Sequence, residues 1–306
     1  MRSRMNLLDL AGRYATERRA PVATVTKEIL HYEILYALLE SGAIENLTFQ
    51  GGTSLRLCYQ GSRYSEDLDF AGGTDFVPSA MDSFGELLKR EIAEAYGLKV
   101  EIKEPQAGDL DSESGVTVSR WLAKVLVPNI NRSLPQKELI KIEVASVPAY
   151  DRDLLPVSVN YAHLPPTFSQ MLIPVETPTE ILADKIVALG ARPFFKARDI
   201  WDIKFLLDRS VSVDSAMPLV SRKLVDYGWG VDEFKDKLAA RIVLLEAPET
   251  PVAFHREMSR FVDASVARQL EASSISTRYM QRAVELGKLT LDAPLALPAT
   301  RPRPKG

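Results

Sequence analysis

Two aspartates one residue apart, Asp67 and Asp69, carry the sharpest chemical signal in this chain. On a strand, positions i and i+2 share a face, so the two carboxylates would stand side by side. Like charges held that close repel unless a cation or a solvent-filled cleft compensates. Mg²⁺ suits the role, because it takes carboxylate oxygens together with substrate phosphates rather than an all-protein cage. Mn²⁺ is the alternative. Paired metals at such a site can activate an attacking hydroxyl and stabilise a leaving pyrophosphate in an in-line displacement. Glu143 is the candidate third ligand, since Ile142 and Val144 take the opposite face of its segment. The competing reading makes Glu143 a surface partner of Lys141.

Upstream lies Gly51-Gly52-Thr53-Ser54, between a strand pattern and a helix pattern. Glycines let a backbone approach phosphates closely, and amides at a helix start favour anions. Thr53 and Ser54 would add hydroxyl donors. The spacing is neither that of the dinucleotide fingerprint nor that of the P-loop. Arg56 and Ser65 join Gly52, Thr53 and Ser54 as nucleotide-binding candidates. Arg56 and Arg63 flank the turn and would either contact phosphate or hold a salt bridge of the fold. Ser65 shares the strand face of Asp67; a phosphate there would set negative charge beside the carboxylates. A strand-edge serine with no such role is the competing reading.

These groups need a scaffold, and periodicity supplies one. Apolar spacing predicts a helix over 26–41, a strand over 47–50 and a helix over 54–59. A strand at 65–70, a helix at 79–96 and a strand at 98–103 follow. The segment 106–114 reads as a loop, and 116–127 and 139–147 as strands. Residues 148–166, with several prolines, read as a crossing between lobes that contains some extended structure. Thr177-Pro178-Thr179-Glu180 is a capping box with proline at the first helical position. Helices are expected after it at 178–189, 196–208, 214–227, 232–245, 251–270 and 277–286. The expectation is an α/β first lobe over 1–170, a helical lobe over 171–296, and a disordered basic tail over 297–306.

A chain of 306 residues is long enough for two such lobes. No apolar run is long enough to span a bilayer, and the N-terminus is too polar for a signal-peptide core, so a cytoplasmic protein without a membrane partner is expected. The single cysteine, Cys58, excludes an internal disulfide and cysteine-rich zinc sites. His31, His163 and His255 show no ligand spacing; His31 reads as a helix-side histidine, and the other two are assigned no chemistry. A net charge of −3 weighs against a protein that coats nucleic acid in bulk, but leaves room for a local basic cleft.

The glycine turn followed by the Asp-x-Asp strand resembles the DNA polymerase β-like nucleotidyltransferase superfamily. More narrowly, Gly51-Gly52-Thr53-Ser54-Leu55-Arg56 with Ser65-Glu66-Asp67-Leu68-Asp69-Phe70 is similar to the AbiEii/MenT nucleotidyltransferase toxins of type IV toxin–antitoxin systems. The stretch from Glu180 to Leu189, with Lys185, is similar to that family's lysine helix. Arg198-Asp199-Ile200-Trp201-Asp202 is similar to its Arg-Asp-x-x-Asp helix. The resemblance implies a polymerase β-like core with a mixed sheet, Mg²⁺ on Asp67 and Asp69, and an NTP triphosphate on Gly52, Thr53 and Ser54. Lys185 would contact phosphate, and either Asp199 or Asp202 would orient it or take part in catalysis. Arg198 and Asp202, four apart, could instead form a helix-surface ion pair. Family members transfer NMP from NTP, in studied cases to the tRNA 3′ end, which blocks translation. A cognate antitoxin, expected to be a winged-helix protein, relieves this. The alternatives are a nucleotidyltransferase acting on a small molecule or protein hydroxyl, and a catalytically silent NTP-binding module.

Overall fold

A computed structural model of the chain describes residues 6–105, 116–127 and 136–296. The expected loop at 106–114 and the tail at 297–306 lie outside the described residues. The chain divides into two compact units. The first runs to Glu176 and takes in Ser259–Ala267; the second holds Thr177–Met258 and the chain from Arg268.

The first unit is built on a seven-stranded mixed sheet with strand order β3-β4-β5-β2-β1-β7-β6. Its strands are β1 (Thr48–Gln50), β2 (Leu68–Ala71), β3 (Lys99–Lys103), β4 (Val118–Val127), β5 (Gln136–Ala145), β6 (Arg152–Pro156) and β7 (Leu172–Glu176). Alternation decides which face is buried: Leu68, Phe70, Trp121, Val125, Ile142, Val144, Ile173 and Val175 all enter the core. Helices α2 (Val22–Glu40) and α4 (Phe84–Tyr96) contribute Ile29, Leu30, Ile34, Phe84, Leu88 and Ile92 to the same core. Helix α1 (Leu7–Arg18) packs on α2 and is capped by the Asn6 side chain, which accepts from the Leu8 and Asp9 amides. The sequence pattern had not marked α1 or β7. Residues 148–166, expected to cross between lobes with some extended structure, supply that structure as β6, but it pairs antiparallel with β7 inside this unit.

The second unit is helical: α5 (Pro178–Ala191), α6 (Ala197–Asp208), α7 (Val213–Asp226), α8 (Val231–Glu246), α9 (Thr250–Met258) and α11 (Ser273–Asp292). The Thr177 hydroxyl accepts from the Glu180 amide and starts α5, as the capping box requires. A single helix over 251–270 does not form. It breaks between α9 and α10 (Ala264–Leu270), because residues 259–263 bond elsewhere within the first unit. The Phe261 carbonyl accepts from the Tyr64 amide (2.7 Å), the Asp263 carboxylate from the Tyr64 hydroxyl (3.0 Å), and Ala264 N–H donates to the Arg19 carbonyl (3.2 Å). The fold is therefore α/β with a mixed sheet, followed by helices. Among the described residues no helix is long and apolar enough to cross a membrane.

Candidate active site

Strand β1 runs directly into helix α3 (Gly51–Cys58), and the two glycines at the junction serve different ends. Gly51 has φ +77°, a left-handed conformation that side chains with a Cβ rarely adopt. A Cβ there would also stand 3.1 Å from Asp69 Oδ2, so the glycine lets that carboxylate lie against the helix start. A Cβ on Gly52 would run into the guanidinium of the buried Arg63, whose Nη1 donates to the Tyr64 carbonyl (2.9 Å). Thr53 and Ser54 behave differently from expectation. The Thr53 hydroxyl donates to the Asp67 carbonyl and the Ser54 hydroxyl to the Gly51 carbonyl (2.8 Å), and both side chains are fully buried. Their hydroxyls hold the turn together. An anion would instead meet the backbone amides of the first turn of α3, where no side chain caps the helix.

The carboxylates are placed by strand register. Asp69 is the Cα partner of Gln50 on β1 and of Glu143 on β5, which puts the third acidic candidate beside it. Asp67 stands just before β2, since the strand begins at Leu68 rather than at Ser65. Glu143 does not pair with Lys141. It accepts from its cross-strand partner Arg120 at 2.5 Å, while Lys141 Nζ lies 3.8 Å from Asp67 Oδ2. Among the described residues no three carboxylate, histidine or cysteine side chains are gathered closely enough to hold a metal ion. The donors nevertheless fit one. They are hard oxygen ligands, Asp69 and Glu143 at paired strand positions and Asp67 just before β2. Surface pairs such as Arg120–Glu143 are worth only about 0–1 kcal/mol, so a divalent cation can displace them.

The segment leading into the aspartates is pinned from below. His31 on α2 donates from Nε2 to the Glu66 carbonyl (3.1 Å), and Lys27 Nζ lies 3.5 Å from the Glu66 carboxylate. Burial drives the His31 pKa down to about 4, so the ring is neutral and needs its Nε2 proton for that bond. The carbonyls of Glu66 and Asp67 are thus both tied down, one by His31 and one by Thr53. No local signal marked His31, because its partner lies 35 residues away. Ser65 is buried immediately before this segment, which removes the easy access that modification would need.

Arg56 proves to be a residue of the fold rather than a group facing phosphate. It is 7% exposed and bonds Glu28 through Nε (3.0 Å) and Nη2 (3.2 Å), and its Nη1 donates to the Gly61 carbonyl (2.9 Å). Burial alone would lower its pKa, but the Glu28 charge and hydrogen bonds raise it above the ordinary arginine value.

In the second unit, α5 and α6 build a compact charged cluster. Lys185 Nζ stands 2.7 Å from Asp199 Oδ1 and 2.8 Å from Asp202 Oδ2, with all three residues buried. The two aspartates share a helix face, so both reach the ammonium and neither excludes the other. Arg192 also pairs with Asp199, and Arg241 donates to the Leu189 (3.1 Å) and Arg192 (2.5 Å) carbonyls at the end of α5. Arg198 is half-buried on the same helix as the aspartates. A second buried lysine escaped sequence reasoning: Lys223 meets Glu180 (2.9 Å) and Asp184 (2.7 Å).

Residues 33–277 match the family model described as nucleotidyl transferase AbiEii toxin, type IV toxin–antitoxin system. No curated protein matches the chain. Among solved structures, the nucleotidyltransferase toxin MenT4 from Mycobacterium tuberculosis is similar at 18% identity, TM-score 0.55, covering 92% of this chain and 97% of that one. Two Helicobacter pylori proteins are also similar. One, described as a nucleotidyltransferase, has 16% identity and TM-score 0.49, with 87% and 97% covered; JHP933 has 17% and 0.47, with 89% and 93% covered. At such identities the likeness to MenT4 speaks for the fold, while the family match extends over most of the chain. The chain belongs to the AbiEii family of nucleotidyl transferase toxins of type IV toxin–antitoxin systems.

Proposed function

We propose that this chain transfers a nucleoside monophosphate from an NTP to an RNA 3′ end, with the tRNA acceptor end as the favoured substrate, and so blocks translation in the cytoplasm. The observation that carries the reading is the register that sets Asp69 between the glycine turn and Glu143. The 3′-hydroxyl attacks the α-phosphorus and passes its proton to water; the new P–O bond forms as the α–β anhydride bond breaks, releasing pyrophosphate. Asp67, Asp69 and Glu143 are the residues that would hold Mg²⁺. Such an ion, when bound, supplies charge stabilisation for hydroxyl and pyrophosphate. The amides at the start of α3 bind triphosphate oxygens, and Gly51 keeps the Asp69 carboxylate against them. Lys185 is the phosphate cation of the helical unit, and Asp199 and Asp202 position its ammonium. A cognate antitoxin, on the family pattern a winged-helix protein, is the partner that restrains the enzyme.

The test is to incubate the chain with each α-labelled NTP and Mg²⁺, alone and with tRNA, bulk protein or aminoglycosides. Label on the tRNA 3′ nucleotide is expected. Label confined to protein or to a small molecule would replace the RNA reading, and absence of NTP binding by calorimetry would leave only a silent module.

A further inference from the structure

The outer half of the sheet has a second face that the core does not use. On β3, β4 and β5, alternation turns Val100, Trp121, Ala123, Val125, Ile140 and Ile142 inward. The opposite positions are Lys99, Glu101 and Lys103 on β3, Arg120, Leu122, Lys124 and Leu126 on β4, and Lys137, Leu139, Lys141 and Glu143 on β5. Register draws them into rows: Lys99–Leu126–Lys137, Glu101–Lys124–Leu139, Lys103–Leu122–Lys141, and Arg120–Glu143–Asp69. Six cations (Lys99, Lys103, Arg120, Lys124, Lys137, Lys141) thus stand in rows with three carboxylates (Glu101, Glu143, Asp69), with Asp67 beside Lys141, in a chain whose net charge is −3. Glu101 is outnumbered: Lys124, which hydrogen-bonds it at 3.2 Å, and then Lys99 and Lys137 hold its carboxyl below the usual range. Lys99, Lys103 and Lys137 are exposed and make no ion pair among the described residues.

Lysines on an edge strand such as β3 also discourage sheet-to-sheet pairing. That cannot account for Arg120, Lys124, Lys137 and Lys141, which lie on the interior strands β4 and β5. Of the four rows only Arg120–Glu143–Asp69 reaches β2, and Lys141, in the row beside it, lies 3.8 Å from Asp67 Oδ2. From β2 to β3 three inter-strand steps cover about 14 Å, about the rise of four phosphates of one strand along a duplex axis. Leu122, Leu126 and Leu139 are interleaved with the cations, as apolar contacts for ribose and base would be.

We infer that this face of β3, β4 and β5 binds the phosphate backbone of the acceptor RNA and leads its end to the carboxylates. The inference rests on the RNA-directed reaction proposed above and deepens it.

The test variant is Lys99→Gln/Lys103→Gln/Lys137→Gln, which leaves Arg120 and Lys141 beside the carboxylates untouched. Fluorescence anisotropy with labelled bulk tRNA is read from 50 to 300 mM salt, with NTP affinity by calorimetry and melting temperature as controls. Loss of three contacts predicts about tenfold weaker tRNA binding and a log–log salt slope shallower by about 2, with NTP affinity and melting unchanged. Unchanged tRNA affinity and slope in the variant would overturn the inference, as would failure of the wild type to bind tRNA. So would a variant that binds tRNA normally yet escapes its antitoxin, since the surface would then belong to a protein partner. A wild type that binds tRNA through this face but adds no nucleotide would uphold the inference and refute the reaction.

Discussion

Lowering the pH should loosen the first unit through one histidine. His31 is buried on α2, and its Nε2–H holds the Glu66 carbonyl beside Asp67. Its pKa falls from 6.5 to about 4 because burial disfavours the imidazolium, partly offset by the Glu66 carbonyl and the charge of Glu28. A histidine with a depressed folded pKa takes its proton first in the unfolded chain. Its contribution is therefore complete above about pH 6.5 and is lost as pH falls toward 4. At about 1.4 kcal/mol per pK unit, the loss is about 2 kcal/mol by pH 5 and about 3 kcal/mol in full. The assay is urea unfolding followed by Trp121 fluorescence, with Trp201→Phe and Trp229→Phe removing the other two indoles. His31→Gln keeps a donor near the carbonyl and cannot titrate. The wild type should lose about 2 kcal/mol more than His31→Gln between pH 7 and pH 5. Parallel lines for the two proteins would refute the assignment.

Gly51→Ala should cost about 1–2 kcal/mol through its left-handed backbone and push Asp69 off the helix start. Transfer should then fall well beyond what the small drop in melting temperature explains; wild-type transfer would show that the Asp69 contact is incidental. Arg56→Met should destabilise by about 3–5 kcal/mol, because Glu28 is left buried without its partner. NTP affinity of the folded fraction should not change, whereas a phosphate-binding arginine would give the reverse in the same calorimetry.

Much of the site could be read from local pattern. Strand parity turned Asp69 and Glu143 away from the buried Leu68, Phe70, Ile142 and Val144, because alternation is local and its period is fixed, whereas Asp67, read onto the same strand, stands just before it. The Thr177 cap likewise announced α5. What escaped depends on distant partners. Arg56 was ambiguous because Glu28 is 28 residues away, and His31 was passed over because the carbonyl it holds is 35 residues away. Strand β7 is five residues long, contains Pro174, and exists through pairing with β1 and β6. The break after α9 carries no proline or glycine; it follows from bonds to Tyr64 and Arg19. The hydroxyls of Thr53 and Ser54 were also read differently: Thr53 donates to the Asp67 carbonyl 14 residues on, and Ser54 to the Gly51 carbonyl within the turn.

The most direct measurement is single-turnover transfer of α-labelled NTP to tRNA by Asp69→Asn, beside the wild type and at matched melting temperature. If Asp69 holds the reacting groups at the glycine turn, the rate should fall by about a thousandfold, the order expected when a principal electrostatic stabiliser is removed. A rate within a few-fold of wild type, in a folded protein, would contradict the site and with it the chemistry drawn from it.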